Sequence, residues 1–214
     1  MKPAAPSDRT RIRRVAENAR YDGTTLHAII DAAHLCHLAF NDDRGLHSIP
    51  MACWRMGEHL YIHGSNGGRL MKQLAGGAAV CISICHLDGL VLARSAFNHS
   101  MNYRSAVIYG RFEKVEGDAD KRAALAAFMD KIAPGRQAEI RPGNDKEFAA
   151  TTVLRIALDE AVSKVRSGPV VDDEADLSLP VWAGVLPLTQ QRGTPQPDTA
   201  CAEPLPAYLR DWAA

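Results

Sequence analysis

Glu58-His59-Leu60-Tyr61-Ile62-His63-Gly64-Ser65-Asn66-Gly67-Gly68-Arg69-Leu70-Met71-Lys72 reads as a short strand, a glycine-rich turn and a helix that opens with basic residues. That order suits a phosphate group. A tight turn lets backbone N–H groups converge, and the unbonded N–H groups at a helix start carry partial positive charge. Gly64, Gly67 and Gly68 permit close backbone approach and positive φ, and Ser65 and Asn66 offer side-chain donors or a helix cap. Arg69 and Lys72 lie three apart and share a helix face. The stretch is neither a Walker A loop nor a GxGxxG fingerprint. An ordinary strand–turn–helix junction with solvated basic residues fits the same spacing, so both readings stand at this point.

Working outward, the pattern on either side is mostly two-residue. Upstream, Leu26, Ile29, Ile30 and Ala33 recur at helical spacing after Asp22-Gly23, with Thr24 or Thr25 as the expected cap. His34 to Phe40 and Leu46 to Trp54 alternate as strands around the turn Asn41-Asp42-Asp43-Arg44-Gly45. Downstream, strands are expected over 79–85, 89–94, 102–115, 151–158 and 161–165, with an amphipathic helix over 118–132 that Pro134-Gly135 ends. Many antiparallel strands with a few interposed helices predict a mainly β (α+β) fold, a small β-barrel with helical additions. The expected organisation is a leader over 1–23, a barrel domain over 24–167, and a proline-rich tail over 168–214 that wraps the same domain.

Composition sets further bounds. The 214 residues are 46% hydrophobic with a formal net charge of +0, an ordinary globular balance. A neutral chain lacks the basic excess that a nucleic-acid surface needs, so the Arg9, Arg11, Arg13 and Arg14 cluster reads as a solvated or interface-bound leader. No apolar run reaches the length of a membrane span, and the first residues lack the apolar core of a secretory signal. Five cysteines without framework spacing fit a reducing compartment, and a cytoplasmic location is expected. His34, Cys36, His37, Cys81, Cys85 and His86 supply metal-ligand types. Strand alternation separates them and no CxxC or HExxH spacing appears, so no zinc site is expected. No GxSxG elbow or paired acid–base site emerges either, and Asp172-Asp173-Glu174 reads as a solvated loop.

Two other segments are candidates for site walls. Pro50 inside a strand cannot donate to a ladder, which predicts an interruption there, or else an edge strand or bulge. Asn102-Tyr103-Arg104-Ser105 opens a strand with an amide, a phenol, a guanidinium and a hydroxyl. Alternation sends Asn102 and Arg104 to one face and Tyr103 and Ser105 to the other, and Arg104 offers a fork of donors to a phosphate or a polar ring edge. A solvent-facing strand start fits equally.

Taken in order, Ser48-Ile49-Pro50-Met51, Tyr61 to Ser65 with Arg69, Asp88 to Phe97, Asn102 to Ser105 and Val181 to Val185 resemble the pyridoxamine 5′-phosphate oxidase-like flavin-nucleotide-binding proteins. The resemblance runs from about Arg11 to Leu188 and points to the branch that includes the nitroimidazole-resistance proteins. It implies an FMN-binding split β-barrel, a homodimer with two flavins at the subunit interface, and FMN as cofactor with FAD as an alternative. On this resemblance Ile49, Pro50 and Met51 would meet the polar edge of the isoalloxazine. His63, Gly64, Ser65 and Arg69 would hold the ribityl chain and phosphate, with Lys72 as a weaker candidate. Asn102, Tyr103, Arg104, Ser105 and Trp182 would contact flavin from the next wall or across the dimer. Asn98, where the family often has histidine, departs from the pattern, and the C-terminal elements for vitamin B6 binding have no match here. The function implied is a flavin-dependent oxidoreductase acting on a small acceptor, with NADH or NADPH as a candidate donor. A non-enzymatic flavin carrier or sensor is the alternative, and a haem-binding protein using His63 or His99 as ligand is the third reading.

Overall fold

The computed structural model describes residues 4–210; residues 1–3 of the expected leader and 211–214 of the expected tail lie outside them. Its strands are β1 (Ala19–Arg20), β2 (Leu35–Asp42), β3 (Gly45–Ala52), β4 (Trp54–Met56), β5 (His59–Ser65), β6 (Ala79–Leu92), β7 (Ser100–Arg111), β8 (Glu113–Lys114), β9 (Thr151–Ala157), β10 (Ala161–Arg166) and β11 (Gly184–Pro187). The helices are α1 (Gly23–Ala32), α2 (Arg69–Ala75), α3 (Asp118–Ile132), α4 (Asp145–Ala150) and α5 (Ala207–Arg210). Every strand pairing is antiparallel. A larger sheet runs in the order β1-β10-β7-β6-β2-β3 with β11 added on β6, and a smaller one runs β4-β5-β9-β8.

The chain turns two corners between these sheets, and both interrupt what the alternation predicts as one strand. The stretch 46–54 breaks at buried Cys53, between β3 and β4, and 102–115 breaks at buried Phe112, between β7 and β8. Each corner hands the strand from the larger sheet to the smaller, which is how orthogonally packed sheets share a chain. Gly110 lets them close: a Cβ there would stand 3.1 Å from Ile156 Cδ1 of β9. The core between the sheets takes Leu38, Phe40, Ile82, Ile84 and Ile108 from the larger and Leu60, Ile62, Leu154 and Ile156 from the smaller. Ile29 and Ile30 of α1 and Met71 and Leu74 of α2 complete it. A second, smaller cluster of Trp54, Tyr61, Val115, Ala124 and Val153 lies between the smaller sheet and α3.

Several local expectations are corrected. β3 is not interrupted at Pro50, which pairs in register with His37. β3 ends the sheet order, and an edge strand tolerates a residue that cannot donate. The cap of α1 is Asp22, whose carboxylate accepts the Thr25 N–H at 2.7 Å. The two strands expected over 79–94 are one, β6, with a register shift between Leu87 and Gly89. Asp172 is not solvated: its side chain is 1% exposed and takes the Arg94 guanidinium at 2.7 Å and the Arg94 N–H at 2.9 Å. That pair pins the largely irregular tail to the end of β6, and Tyr208 pins its far end by donating to Glu139 at 2.8 Å. The leader is likewise held, with Arg9 on Glu160 at 2.7 Å and over the Tyr109 ring at 4.3 Å, and with Arg11 and Arg13 on Asp8.

Candidate functional site

The glycine-rich turn does not aim its N–H groups at one point. Asn66 N–H donates to Ala150 O at 2.9 Å and Gly68 N–H to Ser65 O at 3.0 Å. Gly67 N–H reaches Ser65 Oγ at 3.4 Å, and the Asn66 amide donates to Ala149 O at 2.9 Å. The two Asn66 bonds tie the turn to the end of α4, and the other two close the turn on itself. None of Gly64, Gly67 and Gly68 has positive φ, and Gly68 caps α2 without a side-chain bond. Gly64 also serves packing, because a Cβ there would come within 2.9 Å of Met71 Cγ and Sδ on α2. What remains for an anion is cationic. Arg69 and Lys72 share one face, as their spacing predicts, and with Gly67 and Gln73 line a depression of about 480 Å³.

Arg69 is exposed but not without a partner. One of its terminal nitrogens binds Asp42, at the tip of the β2–β3 hairpin. Asp42 also accepts from Arg44 N–H at 2.9 Å and faces His47 Nε2 at 2.8 Å, and its side chain is 3% exposed. Burial on its own would raise the Asp42 carboxyl. The bonds from His47 and Arg44 N–H and the charge of Arg69 outweigh it and hold the group below its ordinary value. Asp42 is the functional candidate that the sequence reading missed, and only the fold brings it to Arg69, 27 residues away.

The expected walls are placed as follows. Ile49 and Met51 point inward and pack on the core, while Pro50 is exposed on the opposite face of β3. Asn102 and Arg104 share a face and are both engaged. Arg104 grips Asp88 through two bonds of 2.8 Å, and Asn102 donates to Gly168 O at 3.0 Å and accepts from Arg166. Ser105 Oγ donates to Lys164 O at 3.2 Å, and Tyr103 lies opposite Leu87 and Arg166. β7 is three strands from β3 in the sheet order, about 14 Å at ordinary strand spacing. One chain therefore does not bring Asn102–Ser105 to the Arg69 depression. Trp182 is 68% exposed and folds over Gly184 at the start of β11, which pairs with the same end of β6 that the start of β7 pairs with.

His63 has a different setting. Its ring packs against Phe128 of α3 at 4.5 Å and against Trp54 at 5.7 Å between centroids. Its Nδ1 is buried with no hydrogen-bond partner among the described residues, and so is the Trp54 indole N–H beside it. Burial lowers the His63 pKa, keeping the imidazole neutral at pH 7. A neutral imidazole with an unused nitrogen among aromatic rings has the chemistry of a metal-ligand nitrogen. His99, by contrast, is exposed and its Nδ1 already lies 2.8 Å from Ser95 O.

With this geometry in place, the comparisons with known proteins are decisive for the family. The profile of the pyridoxamine 5′-phosphate oxidase family matches residues 22–165. The chain belongs to that family. Among solved structures, the flavocytochrome Anf3 from Azotobacter vinelandii is 40% identical over 98% of this chain and 99% of its own, with a TM-score of 0.92. An FAD and haem binding protein from Mycobacterium smegmatis is 38% identical over 92% and 97% of the two chains, with a TM-score of 0.85. A nitroimidazole antibiotic resistance protein (putative in its own description) from Bacteroides thetaiotaomicron is 24% identical over 69% and 86%, with a TM-score of 0.57, and shares the fold alone. The family reading and the split β-barrel therefore hold, while the greater likeness is to flavocytochromes and not to the nitroimidazole-resistance branch. No curated protein matches significantly. Among the described residues no helix is long and apolar enough to cross a membrane.

Proposed function

We propose that this chain is a redox protein that binds both a flavin nucleotide and a haem, a flavocytochrome on the split barrel. The observation that carries this reading is the full-length similarity to the flavocytochrome of A. vinelandii. The FAD and haem binding protein of M. smegmatis supports it from a second sequence. This order reverses the expectation from sequence, which put a flavin-only oxidoreductase first and haem third, and it puts FAD ahead of FMN. A bound flavin supplies hydride and electron transfer, and a bound haem one-electron chemistry at iron. The residues present fit both groups. Arg69 and Lys72, which line the depression beside the turn, would neutralise the flavin phosphate, and the Ile49-Pro50-Met51 edge strand would offer its backbone to the ring. His63, whose Nδ1 is buried without a partner among the described residues and whose ring burial keeps neutral beside Trp54 and Phe128, is the residue that would hold the haem iron. No side chain stands out as an acid or base, and none is assigned that role.

The second part of the proposal is a homodimer with flavin at the interface. One face of the larger sheet carries exposed Leu35, Leu46, Leu87 and Met101, an apolar surface of the kind that a partner covers. Pairing two such faces would bring Asn102–Ser105 and Trp182 of one protomer to the Arg69 side of the other. The test is the absorption spectrum of the purified protein. A Soret band together with flavin absorbance supports the proposal, and flavin without a Soret band returns the reading to a flavin protein alone. Anaerobic addition of NADH or NADPH then separates an oxidoreductase, whose flavin bleaches rapidly, from a carrier, whose flavin does not. Sedimentation at the mass of one chain would overturn the dimer.

A further inference from the structure

We propose that Asp42 is the positioning residue for recognition of the flavin phosphate, setting the guanidinium of Arg69 at the mouth of the depression that Gly67, Lys72 and Gln73 complete. The inference rests on the flavin reading above and goes beyond it by naming a residue outside every expected wall of the site. Three observations point the same way. The Asp42 side chain is 3% exposed and is fixed by Arg44 N–H at 2.9 Å and by His47 Nε2 at 2.8 Å, so it is a rigid anchor. Arg69 touches it through one terminal nitrogen only, and the rest of its donor fork makes no other hydrogen bond among the described residues. The Arg69 side chain stays 39% exposed, on the wall of the depression.

A long flexible side chain loses rotamer freedom when it grips an anion, and an anchor that fixes it beforehand removes that cost. The alternative role for Asp42 is that of a competing counter-anion, which a phosphate would have to displace. The two roles predict opposite signs. A buried carboxylate held by two further groups does not swing away, and Arg69 has donors to spare, so the positioning role is the one the geometry carries.

The experiment is fluorescence titration of flavin-stripped protein with FMN and with riboflavin, which differ only in the phosphate. Asp42→Asn keeps the size and an acceptor oxygen but loses the charge that orients Arg69. FMN affinity is expected to fall ~10-fold, the scale of one charge-assisted hydrogen bond, with riboflavin affinity unchanged. In an Arg69→Ala background the same substitution should leave FMN affinity unchanged, because the group it orients is gone. Asp42→Glu, which keeps the charge and displaces it by one methylene, carries the test should Asp42→Asn fold poorly. Tighter FMN binding by Asp42→Asn would overturn the proposal in favour of the counter-anion role, and an equal loss for riboflavin would reduce Asp42 to a structural residue. If the unaltered protein binds FMN no better than riboflavin, the phosphate assignment of Arg69 fails, whatever Asp42 does. If it binds neither of these nor FAD, the flavin reading fails with it.

Discussion

Two ends of one short stretch of β5 differ in how their polar groups are satisfied. At Ser65 the strand runs into a turn whose N–H groups are bonded within the protein, and the nearest cation, Arg69, already holds a carboxylate. Two residues earlier, His63 lies under α3 with a buried ring nitrogen that finds no partner among the described residues, beside an equally unmet indole N–H. A ligand at the first place adds to a completed network. A ligand at the second completes one, and a buried polar group without a partner costs about 1–3 kcal/mol. The glycine-rich turn announces itself in sequence, whereas the unsatisfied histidine shows only once α3 packs against it.

The largest effect should come from breaking that contrast at His63. His63→Ala is expected to abolish the Soret band of the purified protein while leaving its flavin absorbance in place, and loss of flavin with retention of haem would refute the assignment. In haem-free protein the sign turns around. His63→Leu replaces an unpaired buried polar group with an apolar one, so it should stabilise by about 1 kcal/mol, seen as a rise of roughly 2–4 °C in melting temperature. The pH dependence follows from the lowered His63 pKa. The unfolded chain takes up a proton near pH 6.5, whereas the folded imidazole resists until a lower pH, so stability falls as pH drops below about 6.5. His34, also lowered by burial, adds a slope of the same sign, so His63→Leu should flatten the acid-side loss without removing it.

The next contrast is between the arginines. Arg69 is bound to a carboxylate that is almost fully buried, whereas Arg104 grips Asp88 in a pair with both side chains more than a third exposed. Arg69→Ala should weaken flavin binding ~10–100-fold through loss of a charge-assisted phosphate contact, and it should lower the melting temperature because Asp42 loses its cation. On the proposed dimer Arg104→Ala would reach flavin only from the partner subunit, and its exposed pair is worth about 0–1 kcal/mol to folding. Its effect should therefore be several-fold on affinity and near zero on melting. Equal losses for the two variants would mean that the two arginines contribute alike to one site.

How much of this was legible follows from the range of the interactions. α1 and α3 were readable because their apolar residues repeat locally, α2 because a glycine-rich turn opens it, and so was the hairpin over 41–45. The corners at Cys53 and Phe112 were not, because a strand that changes sheets keeps its two-residue alternation and bends only to fit the other sheet. α4 was overlooked although it carried a signal, the Asn144–Glu147 capping box. Arg69 and Lys72 on one face were readable from their spacing; that Asp42 would hold Arg69 was not. His63 could be named as a ligand candidate from the family likeness, but its orphaned nitrogen depends on Phe128, 65 positions later, closing over it. The turn glycines are ambiguous for a simpler reason: glycine serves close packing as well as anion binding, and sequence does not tell the two apart.

That ambiguity yields the smallest of the expected effects. If Gly64 is needed for phosphate approach, Gly64→Ala should damage flavin binding; if it is needed for packing of α2 on β5, the damage should be to stability. The added Cβ would lie 2.9 Å from Met71 Cγ and Sδ, on a flexible side chain that can yield at a cost. Gly64→Ala is accordingly expected to destabilise by about 1 kcal/mol, the low end for overpacking a core, and to leave FMN affinity within a factor of two. Adding Met71→Ala supplies the discriminating measurement, because it removes the atoms that the new methyl meets. The cost of Gly64→Ala should then shrink towards zero in a double-mutant cycle read by urea unfolding. An undiminished cost would place the strain in the backbone of the turn, and an accompanying loss of FMN would return Gly64 to the phosphate site.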